Sequence, residues 1–355
     1  MNTSRRSFLV TATAATAAAA ATPLAAASRA TAARPPAPRS AVVKPARLRA
    51  GDTVGIVCPS FATWDPDQID VAVESLAVLG FKAKLGRHLL DRRGYFAGRD
   101  EDRAADLNAM FADPEVKAIH ALRGGWGAAR VLPRLDFGVI AKRPKILQGY
   151  SDITALLLAI HAKTGLVTFH GPVGASQWNP FNVEWMRRLL VDAEAPTFQN
   201  VKETGDNLTQ VEWRTRTLVP GKARGRLLGG NLTVLTAIIG SGYLPEWDGA
   251  VLFLEDVEEA PYRIDRMLTQ MALAGILRRV SGVVFGHCTD CKPGDSYGSL
   301  TINDVLTDHL VPLGVPCLQG AMIGHIDRQF TLPVGLEVEL DASAGTIQAI
   351  EPAVI

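Results

Sequence analysis

From Gly51 onward, short apolar segments alternate with longer segments whose apolar residues recur at helical spacing. Thr53–Cys58 is typical of a buried strand, whereas Asp67–Leu79 has the apolar period of a helix. The same alternation continues to about residue 311. Strands that alternate with helices pair in parallel, and helices then cover both faces of the sheet. The sequence therefore predicts an α/β fold, with two α/β domains that meet near residue 220.

The remaining elements follow the same pattern, apart from a less regular stretch over Ser176–Gly225 and a β-rich tail with a hairpin turn at Ala342–Gly345. Further strands are predicted at Phe81–Leu90, Val116–Leu122, Pro144–Tyr150, Leu166–His170, Ala250–Asp256 and Val280–Gly286. Further helices are predicted at Arg99–Phe111, Asp152–Lys163, Leu232–Ile239, Tyr262–Leu277 and Thr301–Val311.

The charges and cysteines exclude several classes of protein. The chain has 37 basic and 36 acidic residues, so it offers no polybasic surface for nucleic acid or for an anionic membrane. With 47% hydrophobic residues and a net charge of +1, it does not resemble a disordered chain. Four cysteines in 355 residues are too few for a small scaffold held together by disulfides.

The first 33 residues are predicted to be an export signal. Arg5 and Arg6 precede a moderately apolar run and then small residues, which is the layout of a twin-arginine signal. A membrane anchor is the alternative, but alanine and threonine make this run weakly apolar for a bilayer helix. Cleavage is expected after Ala27, Ala30 or Ala33. Residues 34–45 are predicted to be an extended linker, and the mature protein is expected to be periplasmic and free of the membrane.

Three polar segments stand at the ends of predicted strands, where sites in open α/β sheets are built. In the first, Ser151 lies at a sharp turn from an apolar strand into an apolar helix. The backbone N–H of Asp152 would then lie close to an oxyanion formed on an attacked carbonyl. The alternative is that Ser151 or Asp152 is a helix N-cap, and Ile153 departs from the G-x-S-x-G pattern.

The other two segments carry an acid and a base. Glu255 and Asp256 follow the run Val251–Phe253, where a carboxylate can orient an imidazole or simply be solvated. Of the seven histidines, His325 and His170 are best placed at strand ends, and histidine is the usual general base near neutral pH. Each is equally compatible with a structural role.

Two further motifs indicate a function less specifically. The turn Arg123–Gly127 lacks the spacing of a phosphate-binding loop, but it can present backbone N–H groups to an oxyanion. Cys288 and Cys291 resemble half of a metal site, yet the other two cysteines are isolated in the sequence. No metal and no cofactor are therefore expected. Export to an oxidising compartment makes a disulfide possible, and a structural role is favoured over a redox or metal-binding one.

Together these motifs resemble the LD-carboxypeptidase family of serine peptidases, which includes the microcin C immunity proteins. The resemblance runs from about Gly51 to Leu332, and its specificity lies in the shared order and spacing of motifs that are weak one by one. They are Arg123–Gly127, Gly149–Thr154, His170–Pro172, Leu228–Thr233, Leu254–Asp256 and Gly324–His325.

The resemblance implies a fold, a site and a substrate. The expected fold is an N-terminal open, mostly parallel sheet over residues 46–220, which carries the nucleophile, and a smaller swivelling α/β domain over residues 221–355. Ser151, Glu255 and His325 occupy the positions of the family's catalytic triad, and Gly125 and Asp152 those of the oxyanion hole. The family members commonly form homodimers. The implied substrate is a murein tetrapeptide, cut at the L,D-bond that holds its terminal D-alanine.

Two alternatives remain open. The loop Trp178–Phe181 could stack a planar group, which would place the chain with the immunity proteins that hydrolyse peptidyl-nucleotides. An exported two-domain binding protein without catalysis would have a similar sheet architecture, but it has no reason to hold a serine, a glutamate and a histidine at three strand ends. The family members that recycle murein typically work in the cytoplasm, so an export signal favours wall peptides or exogenous compounds as substrates.

Overall fold

The computed structural model describes residues 41–294 and 298–355, so the predicted export signal and most of the predicted linker lie outside the described residues. In the described part, two sheets are flanked by eight α-helices, which confirms the predicted α/β fold. None of the described helices is both long and apolar enough to cross a membrane.

The strands are β1 Thr53–Val57, β2 Lys82–Leu85, β3 Val116–Ala121, β4 Ile146–Gly149, β5 Thr168–His170, β6 Thr197–Gln199, β7 Arg216–Val219, β8 Lys222–Asn231, β9 Val251–Val257, β10 Gly282–Thr289, β11 Cys317–Gln319, β12 Leu332–Val334, β13 Glu337–Asp341 and β14 Thr346–Ala349. The helices are α1 Asp67–Val78, α2 Asp100–Ala112, α3 Phe137–Lys142, α4 Thr154–Thr164, α5 Pro180–Leu190, α6 Leu232–Ala237, α7 Pro261–Leu273 and α8 Ile302–Leu310.

The first sheet has the strand order β12-β5-β4-β3-β1-β2, and all its pairings are parallel except that of β12 with β5. The central strands β1, β3 and β4 are almost completely buried, which explains why most of their residues are apolar. Helix α4 packs against β4 and β5 on one side and against β8 of the second sheet on the other. Its residues from Thr154 to His161 are therefore buried all round.

The second sheet has the order β6-β14-β13-β8-β9-β10-β11-β7, with a parallel centre from β8 to β11. The hairpin predicted near Ala342–Gly345 joins β13 to β14. The two sheets are not built from separate halves of the chain. Strand β12, from the C-terminal part, completes the first sheet, whereas β6 and β7, from the N-terminal part, lie in the second. Both sheets thus draw strands from both sides of residue 220, the position predicted to divide the domains.

Three predicted segments differ from the structure. The strand expected at Phe81–Leu90 is only Lys82–Leu85, because the chain turns from Arg87 onward. The irregular stretch after Ser176 contains the regular helix α5, whose N-terminus is capped by the Asn179 side chain, with Pro180 at its first position. Within the predicted linker, Val43 forms an isolated parallel bridge with Leu166.

Candidate active site

Ser151 lies in a strained turn between β4 and α4. Its φ is +61°, in the left-handed region that costs a residue with a side chain about 1–2 kcal/mol. Gly149 makes the tight turn possible, since a Cβ there would lie 2.9 Å from Cγ2 of Ile153. Neither Ser151 nor Asp152 caps α4 with its side chain, so the helix-cap alternative is wrong. Non-glycine residues held in this region cluster at functional sites.

His325 and Glu255 form a hydrogen-bonded pair. The Nδ1 atom of His325 lies 2.8 Å from Oε2 of Glu255, whose side chain is fully buried, while the imidazole remains 18% exposed. Burial alone would lower the pKa of His325, but the hydrogen bond and charge of Glu255, with the charges of Asp256 and Glu258, raise it above its usual value. The geometry fixes the imidazole orientation, with Nδ1 on the glutamate and Nε2 on the far side of the ring.

The Gly324 backbone brings these two residues close together. Its φ is +117°, and a Cβ on it would lie 2.8 Å from Oε2 of Glu255 and 2.9 Å from Cβ of Glu255. Only glycine combines this conformation with so close an approach. The Gly-His sequence thus lets the chain before His325 pass directly over the Glu255 carboxylate.

Ser151 and His325 line the same cavity, which has a volume of about 290 Å³. Its walls come from α1 and from the loops that follow β3, β4, β5 and β11. The lining residues are Gln68, Arg123, Gly124, Gly125, Tyr150, Ser151, Val173, Ala175, Ser176 and His325. A neighbouring cavity of about 240 Å³ shares Tyr150, Ser176 and His325 with it. The structure thus brings the predicted nucleophile and the predicted base to one concave surface.

The glycine turn after β3 lies against Ser151. A Cβ on Gly124 would lie 2.8 Å from Cβ and 3.1 Å from Oγ of Ser151. Gly125 has a φ of +117°, and a Cβ there would lie 2.4 Å from Cβ of Phe61. The backbone of this turn therefore lies close to the serine, and so does the backbone of Asp152, the residue after Ser151. Backbone N–H groups at such a place can stabilise an oxyanion.

The Asp152 side chain ties the turn at Ser151 to two neighbouring loops, a role that the sequence did not predict. Its Oδ2 atom accepts hydrogen bonds from Ser60 Oγ and from the Ala128 backbone N–H, each at 2.7 Å. Burial raises the pKa of Asp152, and these hydrogen bonds partly oppose the rise. Ser60 follows β1 just as Ser151 follows β4, so its position at a strand end was the available signal.

Asp256 differs from Glu255 in that its side chain holds neighbouring backbone and side-chain groups in place. Its carboxylate accepts hydrogen bonds from Asn231 Nδ2 at 3.1 Å and from the N–H and Oγ1 of Thr233 at 3.0 and 2.9 Å. Burial, followed by the charge of Glu255, raises the pKa of Asp256 to about 6. The Asn231 N–H in turn donates to Oγ1 of Thr154 at 3.0 Å. Asp256 thus anchors the start of α6, which is linked to the helix behind Ser151.

His170, the other candidate base, lies outside the cavity lining. It is completely buried, edge-on to Phe253 with ring centroids 5.2 Å apart, and burial lowers its pKa to about 4. Trp178, the candidate stacking residue, lies parallel to His120, with a centroid separation of 5.7 Å and an interplanar angle of 5°. One face of the indole is therefore already covered by a protein ring.

Two groups of residues in the structure are of the types that bind metals. Cys288 and Cys291 are joined by a disulfide, and Cys58 and Cys317 are buried free thiols, so the cysteine pair at the end of β10 is not half of a metal site. In the described part of the chain, His88, Asp91 and Asp102 bring ligand atoms within 4.8 Å of one another. Nδ1 of His88 is already hydrogen-bonded to Asp91 at 2.7 Å, and none of the three lines the cavity beside Ser151.

Comparisons with known proteins identify the family. The family model for the LD-carboxypeptidase N-terminal domain matches residues 54–171, and that for the C-terminal domain matches residues 224–340. The chain is 40% identical over 308 residues to the "Probable murein peptide carboxypeptidase" of Bacillus subtilis, covering 85% of this chain and 93% of the relative. It is 32% identical over 306 residues to the "Murein tetrapeptide carboxypeptidase" of Pseudomonas aeruginosa, covering 82% and 93%.

Solved structures give the same result. A muramoyltetrapeptide carboxypeptidase from Oxalobacter formigenes superposes with a TM-score of 0.72 and 30% identity, covering 83% of this chain and 97% of that structure. The microcin C7 self-immunity protein MccF in complex with aspartyl sulfamoyl adenosine superposes with a TM-score of 0.79 and 28% identity, covering 88% and 100%. The sequence of the Escherichia coli MccF is 29% identical over 335 residues, covering 86% of this chain and 95% of that protein.

Proposed function

The chain belongs to the LD-carboxypeptidase family, and from that premise we propose that it releases the terminal D-alanine of murein tetrapeptides with Ser151, Glu255 and His325 as its catalytic triad. The observation that carries the proposal is the buried hydrogen bond between Glu255 and His325, beside a cavity that His325 shares with Ser151. Two named relatives act on murein peptides according to their names. The nucleophile, its base and the group that orients the base are all present.

The reaction follows from the chemistry of these groups. Nε2 of His325 accepts the Ser151 proton as Oγ attacks the carbonyl carbon of the L,D-peptide bond, and the Glu255 carboxylate stabilises the imidazolium. The N–H groups of Gly125 and Asp152 bind the oxyanion. The C–N bond then breaks, and His325 gives its proton to the D-alanine amine. A water that loses a proton to His325 attacks the acyl-enzyme, and Ser151 is regenerated with the shortened peptide.

Arg123 is the group that we assign to the terminal carboxylate of the substrate. It lines the cavity with Ser151, and its guanidinium lies over the Phe61 ring at 4.8 Å and near the Trp64 ring at 5.9 Å. Among the described residues, no carboxylate forms an ion pair with it. A planar guanidinium held by aromatic rings and without an acidic partner is suited to bind a carboxylate through two hydrogen bonds. Such a contact would select for cleavage at the chain end.

The microcin-immunity activity is the second candidate, since the similarity to MccF extends over most of both chains. The parallel packing of Trp178 on His120 covers one indole face, so a nucleobase could stack only on the other face. A single assay separates the carboxypeptidase activity, the immunity activity and a non-catalytic binding protein. Purified protein is incubated with murein tetrapeptides that differ in their diamino acid and, separately, with an aminoacyl sulfamoyl adenosine.

Release of D-alanine from at least one tetrapeptide, abolished in Ser151→Ala with an unchanged circular dichroism spectrum, would support the proposal. Cleavage of the nucleoside compound alone would select the immunity activity. Turnover that persists in Ser151→Ala would refute the triad. Binding of tetrapeptide without turnover of either compound would select a non-catalytic binding protein.

We also propose that the chain is exported through the twin-arginine route and acts in the periplasm as a homodimer. The support is the Arg5-Arg6 signal pattern and the homodimers common in the family. Replacing both arginines with lysine should leave the protein in the cytoplasmic fraction, whereas periplasmic protein from that variant would refute the route. Sedimentation equilibrium of the mature chain tests the dimer, and a monomer mass at micromolar concentration would refute it.

A further inference from the structure

The end of β10 forms a small closed loop beside the catalytic pair. Cys288 and Cys291 are joined by a disulfide, so Thr289 and Asp290 lie within a four-residue covalent ring. Cys288 and Thr289 pair with Asp256 and Val257 of β9, and the Thr289 carbonyl accepts a hydrogen bond from the Glu258 N–H at 2.8 Å. The loop is thus fixed to the strand that carries Glu255, and it is fixed again by its own disulfide.

The same loop holds the backbone of His325. Oγ1 of Thr289 donates a hydrogen bond to the His325 carbonyl oxygen at 2.8 Å. Two residues earlier, the His287 N–H donates to the carbonyl of Ile323 at 2.9 Å. The segment that carries the imidazole is therefore hydrogen-bonded to β10 on both sides of Gly324, whose φ is +117°.

We propose that Thr289 is a positioning residue for His325, and that the Cys288–Cys291 disulfide holds Thr289 where its hydroxyl can act. This role rests on the proposed function of His325 as general base. Glu255 fixes one ring atom, which leaves the imidazole free to pivot about that bond. The Thr289 hydroxyl fixes the main chain from which the ring projects. Because Glu255 lies on β9 and Thr289 on the adjacent β10, strand pairing fixes the two anchors relative to each other.

A small displacement at this point would affect proton transfer more than substrate binding. Proton transfer from Ser151 requires Nε2 of His325 within hydrogen-bond distance of Oγ, and a misplacement of about 1 Å can cost on the order of a hundredfold in rate. The proposed carboxylate site at Arg123 does not involve the Thr289 loop. We therefore expect kcat to fall while KM stays nearly constant when the hydroxyl is lost.

The test compares Thr289→Val, Thr289→Ser and Thr217→Val. Valine keeps the shape but removes the donor, serine keeps the donor, and Thr217 is a matched control because its Oγ1 donates to a distant backbone carbonyl, that of Ala342, at 2.7 Å. The readouts are the rate at which a fluorophosphonate probe labels Ser151 and the kcat and KM for D-alanine release. Thermal melting shows that each variant is folded at the assay temperature.

We expect Thr289→Val to slow both labelling and kcat by about tenfold to a hundredfold, with Thr289→Ser and Thr217→Val close to wild type. A Cys288→Ser/Cys291→Ser variant should slow labelling in the same direction. Wild-type labelling in Thr289→Val would overturn the positioning role, and wild-type labelling in the double serine variant would overturn the role of the disulfide. The probe labels Ser151 in the absence of a tetrapeptide. If no tetrapeptide is hydrolysed, the proposed substrate is refuted, but the labelling rates still test the role of Thr289. A wild-type Ser151 that is never labelled would overturn both proposals.

Discussion

The Nδ1 atom of His325 lies 2.8 Å from Oε2 of Glu255, and the carboxylate that it contacts is entirely shielded from water. Glu255 comes from β9 of the second sheet, whereas His325 lies in the connection from β11 to β12, the strand that completes the first sheet. A buried carboxylate needs a partner to offset its lost hydration, and the imidazole is the hydrogen-bond partner of Oε2. The segment that crosses from the second sheet to the first therefore carries the histidine that pairs with Glu255.

The first prediction concerns the pH dependence of this pair. The base must be neutral, and the pKa of His325 is raised above 6.5, so kcat/KM should fall as the pH drops through a value above 6.5. In Glu255→Gln the raising charge is gone while burial still lowers the pKa, so this acid limb should move to lower pH. At its plateau, kcat should be lower by about a thousandfold or more, because the imidazolium has lost its counterion.

The control is Glu258→Gln, which removes an exposed charge that also raises the pKa of His325 but does not touch the ring. It should shift the acid limb slightly and leave the plateau intact. A Glu255→Gln profile with the wild-type acid limb would contradict the pairing as the cause of the raised pKa.

The second prediction separates strain from chemistry at Ser151. Both Ser151→Ala and Ser151→Gly should lose activity, since neither has a nucleophile. Glycine accepts a φ of +61° without strain, whereas alanine does not, so the glycine variant should be more stable by about 1 kcal/mol. Urea denaturation of the two variants measures this difference. An alanine variant as stable as the glycine variant would show that the turn is not strained.

The sequence predicted the elements around the site because their signals are local. The apolar run before Gly149, the tight turn at Ser151 and the apolar helix after it all lie between Ile146 and Thr164. The resemblance to a family added the pairing of Glu255 with His325, which are 70 residues apart in the chain. Neither source predicted that β12 would complete the first sheet, because antiparallel pairing of distant short strands leaves no periodic signal.

The residues that support the site were harder to predict. Ser60 bonds to Asp152 across 92 residues, and Asn231 contacts both Asp256 and Thr154 from a third part of the chain. A serine or asparagine at a strand end can be a cap, a turn residue or a ligand, and only the folded structure identifies its partner. Helix α5 is different, because Asn179 and Pro180 are a local sequence signal for the start of a helix. The prediction of an irregular stretch in this tryptophan-rich region overlooked that signal.

The third prediction tests carboxylate recognition by Arg123. Arg123→Gln should raise KM for a free tetrapeptide by about tenfold to a hundredfold, because a charged bidentate contact is lost. A tetrapeptide with a C-terminal amide should bind wild type and Arg123→Gln almost equally. Arg188→Gln is the matched control, since its guanidinium also lies over an aromatic ring, that of Trp185 at 4.7 Å, but does not line the cavity. If Arg123→Gln still prefers the free carboxylate, another group recognises it.

The fourth prediction concerns the close approach of Gly324 to Glu255. Gly324→Ala and Gly314→Ala both place a side chain on a left-handed residue, with φ of +117° and +67°, and each should cost at least about 1 kcal/mol of stability. At Gly314 the new Cβ meets nothing within 4 Å, whereas at Gly324 it lies 2.8 Å from Oε2 of Glu255. The Gly324 variant must therefore displace the carboxylate or the His325 segment, and its kcat should fall on the order of a hundredfold. The Gly314 variant should keep wild-type kcat, as measured by D-alanine release at a temperature where both are folded. Equal kcat in the two variants would mean that the spacing between Gly324 and Glu255 does not set the position of His325.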